Sequence, residues 1–443
     1  MTTSYPRPRY AWYVVGVLMV AYVFSFIDRQ ILSLLVGPIR RDLGISDTGM
    51  SVLMGFSFAL FYTAFGLPLG RIADSRSRRG LIGFGMAFWS LLTAACGLAQ
   101  RYWQLLLLRI GVGIGEASLS PAAYSLIMDY FPPGRRSLAI SVYSMSIYLG
   151  AGLALLLGGV VIQVTSLAPT IRVPLLGAIR GWQAVMLAVG LPGVFAALLL
   201  LTVREPPRGG IAGRAGAPPV RVVTAYLRAN VRTFTAHNLG FALLSLAGYG
   251  ASAWVPTLYI RRFGWTAAEA GIRYGLLVTL CGTLGTLVGG WLADRWRRRG
   301  LVDANLRVGI VAALGMMPLG LAYTLSSRVW LSFGFLAGAQ FLAGMPWGVA
   351  AAAIQETVPA SMRGQASALY LFVINIIGLG IGPTAVALAT DQLFRNEQLV
   401  HYSLALVTVT AQVGALILLG LGLGPFRHTM ARIQATASAP ATG

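Results

Sequence analysis

The chain is 443 residues long, 56% hydrophobic and only 11% charged, against roughly 25% charged residues in a soluble domain. A soluble core cannot absorb that much apolar surface. With a mean hydropathy of +0.72, the composition excludes a globular soluble or disordered chain and leaves a polytopic membrane protein.

The formal net charge of +21 rests on arginine alone, since there is no lysine. A basic chain points to nucleic acid only when its charge clusters on a soluble face. Here most arginines sit in short loops between apolar runs, the positive-inside pattern, so no polyanionic partner is needed. Twelve runs are each long enough to cross ~30 Å of hydrocarbon as a helix. They fall at about 11–36, 49–72, 80–99, 103–128, 137–163, 182–203, 236–260, 270–294, 306–325, 329–354, 364–390 and 399–424. An even number puts both termini on one side, and the arginine bias makes that side the cytoplasm. The expected location is a bacterial inner membrane. The polar start MTTSYPRPRY and the long first run argue against a cleavable signal peptide.

The first run contains FSFIDRQILSLL, with Asp28 and Arg29 deep in apolar sequence. Adjacent helical residues point about 100° apart, so only one of them faces a given cavity. Asp28 is expected there, with Arg29 pairing locally or reaching the rim. The fourth run holds LLLLRIGVGIGEASLSP, Leu105 to Pro121, with Arg109 and Glu116 and no charge between them. One charge at the centre of a span costs about 2.5–3.5 kcal/mol, so such groups are kept only beside a partner or a watery cavity. Seven residues apart, the two share a helix face about 10 Å apart along the axis. Arginine reaching one way and glutamate the other are expected to meet as an ion pair. Gly111 and Gly115 form a small-xxx-small pair that admits a neighbouring helix. Cys96 and Cys281 lie in apolar runs and read as packing residues, with no metal site expected.

Between runs six and seven lies the longest polar stretch, beginning REPPRGGIAGRAGAPP. Its proline and glycine mark a linker, with a short basic helix expected at Val220 to Arg232 on the inner membrane face. The domain reading is therefore a first six-helix bundle at 1–203, a cytoplasmic linker at 204–235, and a second bundle with a short tail at 236–443. The second half has almost no intramembrane charge. Its runs carry Tyr249, Trp254, Gln340, Trp347, Tyr370 and Asn375. The expected division is that the first half handles protons through Asp28, Arg109 and Glu116, while the second adds apolar and hydrogen-bonding surface. Arg109, Tyr124, Tyr148, Tyr249, Trp254, Trp347, Tyr370 and Asn375 are the candidate substrate contacts, although each aromatic also has the simpler role of packing.

The halves are repeated. GRIADSRSRRGL at Gly70 to Leu81 and GWLADRWRRRGL at Gly290 to Leu301 share seven of twelve positions at a shift of 220. Pro132, Arg136 and Ala139 match Pro359, Arg363 and Ala366 with the same spacing. Repeats of this size build several transporter folds, with the substrate site at mid-membrane. Glycine lets a neighbouring helix approach, aspartate at a helix end pairs with arginines, and the arginines hold the inner leaflet. Gly70, Asp74, Arg78, Arg79 and their counterparts Gly290, Asp294, Arg298 and Arg299, with Arg136 and Arg363, are therefore read as a conformational latch.

These residues carry a resemblance. GxxxD followed by RR, present in both halves, resembles the signature of the major facilitator superfamily. FIDRQIL at Phe26 to Leu32 and RIGVGIGEASLSPAA at Arg109 to Ala123 are similar to its spinster-like branch, which includes sphingosine-1-phosphate and lysophospholipid transporters. The resemblance implies an all-α fold of twelve transmembrane helices in two pseudo-symmetric six-helix bundles. It also implies alternating access, with Asp28, Arg109 and Glu116 as the family's acids and arginine. The expected function is proton-coupled secondary transport of an amphipathic anionic, lipid-like substrate by a monomer. The only energy source is a proton gradient. A proton on Glu116 would release Arg109 to take a phosphate or carboxylate. Rival readings are an organic anion/proton symporter and a drug/proton antiporter. The latter is disfavoured because Gly150 to Gly159, GAGLALLLGG, lacks the antiporters' proline. An intramembrane enzyme is disfavoured because His237, His401 and His428 are scattered near run ends and no HExxH or GxSxG occurs. A receptor or scaffold without turnover is the remaining alternative.

Overall fold

The computed structural model describes residues 7–131, 139, 142–165, 170–173, 177–206, 219–359 and 362–438. Among these, twelve helices are long and apolar enough to cross a membrane. They are α1 Pro8–Leu34, α2 Asp47–Gly66, α3 Arg78–Cys96, α4 Tyr102–Ile127, α5 Val142–Gln163, α6 Gly181–Thr202, α7 Val231–Phe263, α8 Ala267–Arg298, α9 Ala304–Leu325, α10 Val329–Glu356, α11 Gln365–Phe394 and α12 Glu397–Ile433. The apolar runs are long enough to satisfy every backbone group internally, which is what hydrocarbon demands. Large apolar side chains such as Phe84, Leu201 and Leu421 remain mostly exposed, a surface suited to lipid rather than water.

Local sequence sets the helix starts. Pro8 occupies the first turn of α1, where its missing N–H costs nothing. The Ser46 and Ser77 hydroxyls accept the Gly49 and Gly80 amides at the heads of α2 and α3. Thr266 and Glu269 close a capping box on α8. Among the described residues, four stretches slip into π-helical register: Val52–Phe56, Val278–Gly282, Asn375–Ile381 and Ala389–Phe394. One small departure from an all-helical chain is an antiparallel hairpin, β1 Thr170–Val173 with β2 Gly177–Arg180, pairing Thr170 with Arg180. Its β-branched residues favour extended backbone, and Gly177 turns with φ at +76°.

The chain forms two compact units. The first comprises Met1–Gly209, Ser252–Thr279 and Thr390–Val400. In it α1 packs on α5, α2 on α4, α3 on both α4 and α6, and the first part of α8 on α5. The α5–α8 crossing is backbone to backbone. A Cβ on Gly271 would lie 2.6 Å from the Leu155 carbonyl oxygen and 2.9 Å from the Gly159 Cα. The small pair on α4 receives α3, since a Cβ on Gly115 would meet Trp89 Cβ at 2.9 Å and one on Gly111 would meet Leu92 at 2.5 Å. The second unit comprises Gly210–Ala251, Leu280–Ala389 and His401–Gly443. Its core gathers Phe241, Ala312, Ala313, Ile354, Leu419 and Phe426. A helix at Val220–Ala229 lies within the linker and buries Val223.

Candidate functional site

The site grows from one polar segment of α1, Ser25 to Gln30, set among apolar residues. Asp28 is buried, and so are Arg109 and Glu116 on α4. Arg109 and Glu116 do not form the expected pair. Glu116 Oε2 instead accepts from Arg29 Nε and sits 2.7 Å from Arg29 Nη2, and it also accepts from the Ser25 hydroxyl. Arg109 Nη1 donates to the Asp28 carbonyl oxygen at 3.1 Å. The reason is geometric. α1 lies along the face that Arg109 and Glu116 share, so a side chain arriving from the next helix closes the ion pair without spanning two turns of α4. The two acids and two guanidiniums balance in charge. Even so, both carboxylate oxygens of Asp28, Nε and Nη2 of Arg109 and Oε1 of Glu116 are buried without a hydrogen-bond partner among the described residues. Burying polar groups in apolar surroundings without such partners is costly.

Arg29 lies in an aromatic box, its guanidinium carbon 5.1, 4.5 and 4.9 Å from the ring centres of Phe26, Phe58 and Tyr62. Gln30 and Ser252 bond reciprocally, the Gln30 amide donating to the Ser252 carbonyl oxygen and the Ser252 hydroxyl to Gln30 Oε1, both at 3.1 Å.

The other candidates scatter. Tyr124 and Tyr148 are half-buried, and Tyr124 meets the Tyr143 ring edge-on at 5.6 Å. Tyr249 and Trp347 are half-buried and cross at 5.6 Å in the second unit, where Asn375 is also half-buried. Trp254 and Tyr370 are sealed in packing, Tyr370 beside the His237 ring, so neither offers a free surface to substrate.

The latch residues divide. Gly70 faces Pro121 of α4 at ordinary contact distance. Arg78 is buried, and its ion pairs run to Asp129 and to Glu205, the latter at 2.7 Å, with a further bond to the Ser125 hydroxyl at 2.9 Å. Arg79 Nη1 donates to the Val203 carbonyl oxygen at 2.8 Å. Burial raises the Glu205 carboxyl, but bonds from Arg78, the Arg79 amide and Ser77 outweigh it and hold the group below its ordinary value. Arg136 and the side chains of Asp74 and Arg363 lie outside the described residues. The second copy does not repeat the first. Gly290 has no neighbour against it, and Asp294, Arg298 and Arg299 are exposed. There Arg297 pairs with Glu356 at 2.6 Å, so the neighbouring arginine takes the contact expected of Arg298.

A second charged cluster, with no counterpart in the sequence reading, lies in the first unit at the helix ends away from the arginine-rich loops. Asp47 is fully buried and accepts from Arg261 Nη1 and Nη2 at 2.6 and 2.7 Å, with Arg40 Nε at 3.0 Å. Glu397 pairs with Arg40 and, at 3.5 Å, with Arg261. Asp391 accepts from the Thr48 amide and hydroxyl, each at 2.7 Å. The clasp thus joins residues of the first six helices to the ends of α7, α11 and α12. Its members lie hundreds of residues apart, so no local motif announces them. The available signal was the scarcity of acids, 13 among 443 residues.

Comparison with known proteins places these features. The family model of the Major Facilitator Superfamily matches residues 18–383. An MFS-type efflux pump of Mycolicibacterium smegmatis is 32% identical over 92% of both chains. Protein spinster homolog 1 of Homo sapiens is 28% identical over 93% of this chain and 80% of its own. The crystal structure of a bacterial homologue of the human lysosomal transporter spinster, inward-facing and unoccupied, superposes with a TM-score of 0.78 at 27% identity, covering 98% of this chain and all of the other. The twelve spans fit that fold, and the chain is a spinster-like transporter of the Major Facilitator Superfamily.

Proposed function

We propose that the chain is a proton-coupled secondary transporter of an amphipathic anion, lipid-like in having one charged head and an apolar body. The observation that carries this reading is the buried ion pair of Glu116 with a guanidinium, beside Asp28 with its unbonded carboxylate oxygens. In one access state Glu116 is ionised and paired. A proton neutralises it, the ion pair loses its charge on one side, and the local excess of positive charge favours an incoming anion. Proton and anion binding are thereby linked through one acid, with Asp28 as the second proton site and Arg109 holding the α1 backbone beside it. The rival cargo, a small organic anion, would satisfy the same charges. Both termini face the cytoplasm of a bacterial inner membrane in this reading, the protein acts as a monomer, and the proton gradient is its sole driving force.

Transport in proteoliposomes under an imposed pH gradient tests the scheme. Glu116→Gln is expected to abolish the gradient response while leaving the protein folded. A variant that responds like the parent refutes the coupling.

A further inference from the structure

We propose that Arg29, held in its box of Phe26, Phe58 and Tyr62, is the receptor for the anionic head group and selects a singly charged one; this rests on the proton coupling proposed above.

Arg109 is ill placed for that task. Its side chain is wholly buried, and one arm is committed to the Asp28 carbonyl oxygen. The Arg29 side chain is 13% exposed, so one edge reaches open space while the rest is enclosed. Its enclosure is also unusual in kind. Three ring faces lie within 5.1 Å of the guanidinium carbon, supplied by Phe26 three residues earlier on α1 and by Phe58 and Tyr62, one turn apart on α2. Aromatic faces hold a cation without neutralising it. When Glu116 takes a proton, Arg29 therefore keeps its position and its charge, and the N–H groups that served the carboxylate become available to another oxyanion.

The surroundings extend the receptor. Glu116, Ser120 and Tyr124 follow at intervals of four residues and line one face of α4. Ser120 Oγ meets Tyr62 Oη at 3.5 Å, and Tyr124 is half-buried beyond it. An anion replacing the Glu116 carboxylate on Arg29 would have hydroxyl donors on the open side. Charge sets the preference. With Glu116 neutral and Asp28 still ionised, the site carries one uncompensated positive charge, and one negative charge restores balance. A dianion would leave a second charge buried without a partner. Carboxylates and phosphodiesters fit, and phosphate monoesters fit less well.

The test uses the full chain in maltoside micelles, with single-chain lysophosphatidylglycerol as the anionic probe and monoacylglycerol as the neutral one. Binding is measured by thermophoresis at pH 5.5 and 8. The parent is expected to bind the anionic probe at least tenfold tighter at pH 5.5. Glu116→Gln should bind tightly at both pH values, and Arg29→Gln should lose at least tenfold at both. Arg29→Lys, which keeps the charge but not the planar face, should lose several-fold while eluting as a monodisperse peak, which separates lost recognition from lost folding. If Arg29→Gln or Arg29→Lys binds within twofold of the parent at pH 5.5, the receptor assignment falls, and a Glu116→Gln variant that has still lost its pH dependence leaves the coupling standing. If pH has no effect on the parent but the Arg29 variants lose affinity, the receptor stands and the coupling through Glu116 falls. Equal binding of anionic and neutral probes overturns the receptor.

Discussion

The Asp47 clasp gives the sharpest expectation. Asp47→Asn removes a carboxylate that is fully buried and accepts both arms of Arg261 at 2.6 and 2.7 Å, with Arg40 at 3.0 Å. Two guanidiniums then share Glu397, whose side chain is half exposed. Breaking a buried ion pair costs about 3–5 kcal/mol. Arg40 and Arg261 retain 21% and 10% exposure, so water compensates part of the loss, and about 2–3 kcal/mol is the better figure. That energy belongs only to the state in which the clasp is closed. The closed-to-open ratio should therefore fall by about 30- to 150-fold. A reporter cysteine at Ser252, half-buried and bonded to Gln30, reads the opening. In a background with Cys96→Ala and Cys281→Ser, a membrane-impermeant maleimide should label it at least tenfold faster when Asp47→Asn is added. Restoring the pair in reverse, Asp47→Arg with Arg261→Asp, should bring the rate back toward baseline. Equal labelling with and without Asp47→Asn, in folded protein, would refute the idea that the clasp governs access from this side.

Three further expectations follow from single contacts. Glu205 lies below its ordinary value, so its ion pair with Arg78 stabilises the fold above the unfolded glutamate value near ~4.3, and that contribution disappears as pH falls through the lower folded value. Thermal unfolding scanned from pH 7 to 3 should show this acid loss. Glu205→Gln should remove about 1–2 kcal/mol at neutral pH and flatten the acid limb, whereas an unchanged limb would assign it to other groups. Gly271→Leu should unfold or misassemble the chain, because even a Cβ there would lie 2.6 Å from the Leu155 carbonyl oxygen; a normal, monodisperse gel-filtration peak would contradict that packing. Gln30→Ala and Ser252→Ala should show a coupling of about 0.5–1.5 kcal/mol in a double-mutant unfolding cycle, since Gln30→Ala removes both bonds and Ser252→Ala removes the one donated by its hydroxyl, and additive effects would deny the contact.

The spans were legible because hydrocarbon imposes a length and a composition on every one of them, and arginine loops punctuate the intervals. The repeated loop was legible because a doubled motif leaves matched residues at a fixed offset. The identity of the buried charges was legible too, since Asp28, Arg29, Arg109 and Glu116 stand out from apolar surroundings. Their pairing was not. Whether Glu116 meets Arg109 on its own helix or Arg29 on the next depends on how α1 rotates against α4, and periodicity along one helix carries no information about a neighbour. The same blindness hid the Asp47 clasp, whose bidentate partner Arg261 is 214 residues away. It also hid the unequal fate of the two copied loops, where Arg78 is enclosed by Asp129 and Glu205 while Arg298 stands in the open and Arg297 takes the pairing with Glu356.

Some borders of the two compact units fall inside helices. One border falls between Thr279 and Leu280, inside the π-helical stretch Val278–Gly282, and another between Ala389 and Thr390, where the stretch Ala389–Phe394 begins. A widened turn has its carbonyls and amides out of step with the rungs on either side, and it yields to bending more readily than regular helix. α8 and α11 thus each carry a turn that bends more readily than the regular helix beside it.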